Sequence, residues 1–371
     1  MNKKKILHII TSLGDGGAEG VLYRLISETN NNIEHQVIAL SSDNKYESLL
    51  RKKKIKLYKI NLLKNKLEFS KLIKLYKIIK SKKDFLIQTW LYHADFLGGI
   101  FAFISGNRNI YWNIRTSEIS LKSTKIRTLI IIFLNALLSW FVPKKIIICS
   151  KRSIKIHRLV GFKNNFELIY NGFDEKFYIP KKNYSRKYFN LSNNDLILGN
   201  VSRYHPVKNH EYLLSIFSKI RDIKGIKLVL IGTNMDKKNS DLVEMLKKKK
   251  IFDKTILLGR RDDVFHIYKI FDIFLLTSHS EGFPNVLAEA MLNKNICIST
   301  NVGEARNIIY RDKFIIQKND IESSAKKIRK IILERKNLKK WNLLKSKNRK
   351  RIKNTFSLNK MIKNYINVWK N

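Results

Sequence analysis

Glu281 and Glu289 stand eight positions apart in the string Ser278-His279-Ser280-Glu281-Gly282-Phe283-Pro284-Asn285-Val286-Leu287-Ala288-Glu289-Ala290-Met291, with Gly282 and Pro284 between them. Proline suits a first helical position, because the amide it lacks would have had no intrahelical partner, so the string predicts a helix from near Pro284 to about Asn293. Glu281 then falls in the preceding loop and Glu289 inside the helix. Just upstream, Ile273-Phe274-Leu275-Leu276 reads as a short buried strand. Strand, glycine-containing loop, helix is how α/β proteins present backbone amides to a phosphate. Arg203 and Lys208, beyond the apolar run that begins at Ile197, could meet the same anion with one planar fork and one mobile point charge. Among 74 Lys and Arg a single cation means little, and it is the position at a strand end, with Pro206 between them, that singles these two out. The chemistry on offer is the binding and stabilisation of a diphosphate.

The elements that must hold these side chains form two βα series. A first strand over about 4–10 leads into Thr11-Ser12-Leu13-Gly14-Asp15-Gly16-Gly17-Ala18-Glu19 and then the helical spacing of Val21, Leu22, Leu25 and Ile26. A glycine turn at the start of a parallel sheet can cradle a phosphate or a sugar, because glycines let the backbone approach a ligand closely. It lacks the dinucleotide fingerprint spacing, which disfavours NAD. Strands near 36–40, 55–60 and 85–89, with a basic amphipathic helix over 67–79, continue an alternation that implies a parallel sheet covered on both faces. Ligands bind beyond the carboxyl ends of such strands, which places His93 and Asp95, after the strand at 85–89, and Arg115, after one at 109–114, where chemistry would occur. Taken alone, His93 also reads as a packed histidine at a helix start. A polar, basic linker over 178–194 with Pro180 precedes the second series, whose strands near 226–231 and 255–258 end in Gly232-Thr233 and Gly259-Arg260, natural walls for a nucleotide base.

Composition bounds the rest. A chain of 371 residues exceeds the size at which one core keeps growing, so two domains are expected, and 44% hydrophobic residues can fill both. The formal charge of +44 points to anionic partners. Its lysines are spread along the whole chain together with an excess of Ile and Asn, which argues for an anionic membrane surface or phosphate-bearing acceptor and against nucleic acid. Cys149 and Cys297 end apolar runs and read as buried strand residues without metal-ligand spacing. The basic then apolar N-terminus is too short in its apolar part for a signal peptide and reads as the first strand. The longest apolar stretch, 129–142, is interrupted by Asn135 and Ser139 and falls short of the ~20 residues of a spanning helix. The helix expected over 124–141 either faces the core or dips into a membrane interface.

The Glu281-to-Glu289 string resembles the Glu-x7-Glu signature of the retaining family-four glycosyltransferases, which include bacterial polysaccharide transferases. Other segments are similar to that family too: Gly16-Gly17-Ala18-Glu19, Trp90-Leu91-Tyr92-His93-Ala94-Asp95, Ile169-Tyr170-Asn171-Gly172-Phe173-Asp174 and the span from Gly199 through Arg203 to Lys208. Asn209 stands where the family often has glycine, and Tyr310-Arg311-Asp312-Lys313-Phe314 where it has further glycines. The resemblance covers about 4–370.

The resemblance implies a GT-B architecture, an α/β fold of two Rossmann-like domains facing across a cleft, with a C-terminal helix crossing back to the first domain. It implies an acceptor-binding domain over 1–178, a nucleotide-sugar domain over 195–354 and a crossover helix over 355–371. Glu281 would contact donor-sugar hydroxyls, Glu289 the ribose, and His93 the donor sugar. Arg203, Lys208 and the helix start at Gly282, Phe283, Asn285, Val286 and Leu287 would meet the diphosphate, with Gly16, Gly17 and Arg260 also on the donor. Asp95 and Arg115 would face the acceptor. The expected partners are a nucleoside-diphosphate sugar, UDP-linked, and a lipid-linked or glycan acceptor of capsule, O-antigen or lipopolysaccharide synthesis, at the inner face of the cytoplasmic membrane. No cofactor is expected. No Asp-x-Asp triplet occurs, so positive side chains and a helix start are expected to do a metal's work. A nucleotide-sugar epimerase on the same plan is the alternative, ahead of a phosphorylase or a nucleic-acid-binding protein.

Overall fold

The computed structural model describes residues 3–41, 45–62, 68–117, 119, 124–178 and 184–370. The chain divides into two compact units, Met1–Gly172 with Leu358–Asn371, and Phe173–Ser357. In the first, seven parallel strands run in the order β3-β2-β1-β4-β5-β6-β7. They are β1 (Lys4–Ile10), β2 (Ile33–Ala39), β3 (Lys56–Lys59), β4 (Leu86–Trp90), β5 (Ile110–Ile114), β6 (Lys145–Ile148) and β7 (Phe166–Leu168). Helices cover both faces, so the central strands are closed from water on both sides: every residue of β4 and β5 is buried. Ile6 is paired with His35 of β2 on one side and Leu86 of β4 on the other. Strand order reverses at that point, which opens a crevice at the carboxyl ends of β1 and β4, and the turns after Ile10 and Trp90 sit there.

The helix Leu358–Lys370 belongs to this first unit. Its Tyr365 hydroxyl accepts from Asn113 Nδ2 at 2.8 Å, and Trp369 Nε1 donates to Gln88 Oε1 at 3.0 Å. Both aromatic side chains are fully buried. The helix Phe69–Lys80 takes the place of the one expected over 67–79, and residue 67 lies outside the described residues.

In the second unit six parallel strands run in the order β10-β9-β8-β11-β12-β13. These are β8 (Leu196–Val201), β9 (Ile226–Ile231), β10 (Thr255–Leu257), β11 (Ile273–Leu276), β12 (Ile296–Thr300) and β13 (Ile315–Ile316). Here the reversal lies between β8 and β11, where Leu198 pairs with Ile273 and Gly199 with Phe274. A Cβ on Gly199 would stand 2.2 Å from the Phe271 ring, so glycine is what lets that ring lie across the strand.

The boundaries differ from the expected 178 and 355. Phe173 N donates to Phe356 O at 2.9 Å, tying the two ends of the second unit together. The stretch from Tyr184 onward is part of the fold instead of a linker: Arg186–Phe189 forms a 3-10 turn, Phe189 is buried, and Arg186 Nη2 donates to Asp272 Oδ2 at 2.9 Å. Pro180 lies outside the described residues.

Candidate active site

The loops after β8 and β11 are stitched together by backbone. His279 N donates to Val207 O at 2.8 Å, and Thr277 Oγ1 to the carbonyls of Lys208 and Asn209 at 3.2 Å each. Asn209 has φ 52 and ψ 55, the left-handed conformation that asparagine tolerates next best after glycine, and its Oδ1 caps the following helix by accepting from Tyr212 N at 3.3 Å. That accounts for asparagine standing where the family often has glycine. Lys208 is thereby held against β11, and its Nζ donates to Glu281 Oε1 at 2.6 Å. Ser278 Oγ donates to the same oxygen at 2.7 Å. Neither member of the ion pair is fully sealed, their side chains being 21% and 13% exposed.

The Glu281 loop is shaped from below by the turn after β12. Gly303 has φ +48, and a Cβ there would stand 2.2 Å from Gly282 O and 2.4 Å from Glu281 O. No other residue could let the two loops approach this closely, and Glu304 N completes the contact by donating to Gly282 O at 3.1 Å. Ser278, Thr277 and Gly303 thus shape the site although sequence reasoning does not single them out. Only the Ser278-to-Glu281 spacing within the signature string could have pointed to one of them.

The helix after the loop runs Asn285–Leu292. Pro284 is its N-cap, with φ −71 and ψ 92, not its first helical residue, and its carbonyl accepts from Leu287 N at 3.1 Å. The Leu287 amide is therefore turned into the helix and its side chain is wholly buried, which removes it from the expected donor contacts. The Phe283 ring is a core side chain: it stacks on Phe173 at 5.9 Å and meets Phe356 edge-on at 5.4 Å, which leaves only its backbone to face a donor. The amides of Asn285 and Val286 remain at the positive end of the helix dipole. Glu289 is half-buried one turn further on, at 3.4 Å from the Tyr268 hydroxyl. Arg203 and Arg260, after β8 and β10, are exposed. Burial and the neighbouring charges of Arg203 and Lys208 hold the His205 imidazole below its ordinary proton affinity. His210, buried on Ser202 and stacked on Tyr204, is pushed down to about 4.

At the switch point of the first unit, Leu91 has φ 72 and ψ 152, a conformation costly for a side chain with a Cβ. It is held by Leu91 N donating to Asn113 O at 3.1 Å, and by its own carbonyl accepting from Asp95 N at 2.9 Å. The neighbouring Tyr92 is anchored in the core by its hydroxyl on His157 Nε2 at 2.6 Å. His93 is left half-exposed on the first turn of the helix Tyr92–Ile104, its proton affinity lowered by partial burial. Asp95 is not on the surface as an acceptor contact would be. It is 0% exposed, accepts from Thr89 Oγ1 at 2.6 Å, and burial pushes its carboxyl up to about 7. Arg115 is also turned inward: its guanidinium donates to Asn171 Oδ1 and the Tyr365 hydroxyl and lies 5.1 Å from the Trp90 ring. It fastens the C-terminal helix to the first sheet. Gly16 and Gly17 open the helix Gly17–Thr29, but the buried Glu19 carboxylate, which accepts from Ser12 Oγ at 2.9 Å, fills the space beside Gly16.

Residues 181–351 match the family model of the glycosyl transferases group 1. The matched segment lies wholly within the second unit. It is 30% identical over 154 residues to the N-acetyl-alpha-D-glucosaminyl L-malate synthase of Bacillus anthracis, a match spanning 41% of this chain and 40% of that protein. To the UDP-Gal:alpha-D-GlcNAc-diphosphoundecaprenol alpha-1,3-galactosyltransferase of Escherichia coli it is 28% identical over 276 residues, 69% of this chain and 68% of the relative. Among solved structures, Anabaena Alr3699/HepE in complex with UDP superposes with a TM-score of 0.83 at 19% identity over 98% of both chains. At that identity the likeness establishes the fold, a two-domain α/β GT-B architecture. Among the described residues no three His, Cys, Asp or Glu side chains gather as metal ligands would, and no helix is long and apolar enough to cross a membrane.

Proposed function

We propose that this glycosyltransferase moves a sugar from a UDP-sugar to a hydroxyl of a lipid-linked or polysaccharide acceptor in cell-surface glycan synthesis, with retention of anomeric configuration. One observation carries the reading: Arg203 and Lys208 follow β8 and the helix Asn285–Leu292 follows β11, the two strands between which strand order reverses. An open α/β sheet binds its ligand at such a point, and these groups match a diphosphate. The UDP held by the Anabaena structure and the diphosphoundecaprenol acceptor in the E. coli relative's name support the choice of donor and acceptor class.

The chemical difficulty is negative charge gathering on the diphosphate oxygen as the glycosidic bond breaks. Lys208, held by Glu281, and the amides of Asn285 and Val286 are in place before the reaction starts, with Arg203 just before Lys208 in the chain, and preorganised donors of this kind usually contribute most to the lowering of such a barrier. They supply the positive charge without a metal ion. Glu281 is engaged by Lys208 and Ser278, which suits a hydroxyl-orienting acceptor better than a nucleophile. Attack from the face the diphosphate leaves, with a diphosphate oxygen taking the acceptor's proton, then gives retention. Glu289 holds the ribose, Arg260 borders the base, and His93 lies against the donor sugar. Gly16 and Gly17 border a sugar hydroxyl instead of the phosphates. The net charge of +44 favours work at an anionic membrane surface.

The experiment is a panel of nucleotide sugars with lipid-linked acceptors, products read by mass spectrometry and their anomeric configuration by NMR. Acceptor-dependent glycoside with the donor's configuration is expected. Release of nucleotide and free sugar, indifferent to acceptor, would instead reveal an epimerase.

A further inference from the structure

The helix Ile126–Leu138 has two unlike faces. Ile132, Asn135 and Ala136 are buried, with Asn135 Nδ2 donating to Tyr92 O at 2.9 Å where the helix packs on the helix Tyr92–Ile104. The other face shows Ile126, Ile130, Phe133 and Leu137 to solvent, and the turn that follows adds Trp140 and Phe141. Steps of four and three residues keep these side chains on one side of a helix. Phe133 is 60% exposed and Phe141 75%. Trp140 Nε1 donates to Gly161 O at 3.1 Å, fixing the indole beside the end of the helix Lys151–Leu159, whose Leu159 is exposed too. A contiguous apolar strip of this kind on the outside of a domain marks an interaction surface.

What covers it is indicated by charge. From Ile119 to Phe166 the sequence contains no Asp or Glu. Lys125, Arg127, Lys144, Lys151, Arg152 and Lys155, on this helix, on the turn after it and on the helix Lys151–Leu159, are all exposed. A second copy docking by two-fold symmetry would set this basic rim against itself. Nucleic acid would suit the cations but leave the aliphatic strip without a partner. An anionic bilayer suits both, taking the apolar side chains among the acyl chains and the cations at the headgroups. The helix has 13 residues, about 20 Å, too short to span a hydrocarbon core of about 30 Å but long enough to lie in its surface.

We propose that the face formed by Ile126, Ile130, Phe133, Leu137, Trp140 and Phe141, with its basic rim, is the surface by which the first unit docks on an anionic lipid bilayer. This deepens the membrane reading above by assigning it a place on the molecule.

The sequence supplies its own reporter. Of the five tryptophans, Trp140 is 54% exposed and the other four at most 3%. Full-length protein is mixed with vesicles of phosphatidylcholine, with or without phosphatidylglycerol, carrying bromine on the acyl chains. Quenching of tryptophan fluorescence is expected with the anionic vesicles, and its loss in Trp140→Phe. Phe133→Ser with Leu137→Ser should weaken vesicle binding roughly ten-fold or more. Lys151→Glu with Arg152→Glu should weaken binding to anionic vesicles at low salt. Circular dichroism and turnover of a short-chain, water-soluble acceptor should be unchanged in all of these. Wild-type vesicle affinity in the Phe133/Leu137 variant, or quenching that survives Trp140→Phe, would overturn the proposal. So would a dimer in light scattering that the same substitutions dissolve. Vesicle binding is read without turnover, so it can fail while sugar transfer succeeds, and the reverse.

Discussion

Lys208 Nζ lies 2.6 Å from Glu281 Oε1, so the cation expected to meet the donor diphosphate is already paired across two loops. The pair fixes where the charge sits before a ligand arrives, and an incoming diphosphate competes with Glu281 for it. On the proposed reading Lys208 faces oxygen that becomes more negative as the bond breaks, so its loss would fall on the chemical step. Lys208→Ala is expected to lower kcat by roughly 10²-fold or more. Steady-state kinetics with circular dichroism as a folding control checks this, and a folded variant with normal kcat would take Lys208 out of the site.

Glu289 should behave differently. A ribose contact is equally strong before and during the reaction, so Glu289→Gln is expected to raise the donor KM and leave kcat nearly alone. A fall in kcat at unchanged KM would place this carboxylate at the reacting centre instead.

Metal is the third test. On the proposed reading Arg203, Lys208 and a helix start meet the leaving diphosphate, so turnover is expected to persist after EDTA treatment. Activity abolished by EDTA and restored by magnesium or manganese would mean that these groups do not neutralise the leaving group on their own.

Much of this organisation is legible in the sequence because apolar runs of four to seven residues, each followed by a polar turn, are what a doubly covered parallel sheet requires. The same pattern puts Glu281, Arg203 and Lys208 at strand ends. What it cannot supply is depth and pairing. Arg115 stands at a strand end like Arg203, but Tyr365, far along the chain, turns it inward. Asp95 follows His93 by two positions on a helix, and only the helix's packing on β4 decides that one is half-exposed and the other sealed. Phe283, inside the signature string, is a core side chain because Phe173 and Phe356 meet at the seam of the second unit. The unit boundaries at Gly172 and Ser357 carry no proline and no change of composition to mark them.

Asp95 gives the last prediction, on stability against pH. Burial raises its carboxyl to about 7 from an ordinary 3.8, so between those values the folded state holds a proton that the unfolded state has lost. Its contribution is therefore fully present below about pH 4 and is lost as pH rises through about 7, with a slope of at most ~1.4 kcal/mol per pH unit. The buried histidines act in the opposite sense. His35 is depressed to about 3 and His157 and His210 to about 4, from an ordinary 6.5, so the unfolded state binds their protons first and acid destabilises the fold. Between about pH 4 and 6.5 the two effects oppose each other, and above 6.5 Asp95 acts alone among these groups. Asp95→Asn keeps the acceptor for Thr89 Oγ1 and abolishes the titration. Urea denaturation across pH 4 to 8.5 should show the variant losing stability more steeply than wild type on acidification from about pH 7 to 4, with the difference between the two level above about pH 7. Parallel curves for the two proteins would mean that Asp95 stays ionised in its buried place and that Thr89 and the neighbouring amides carry its charge.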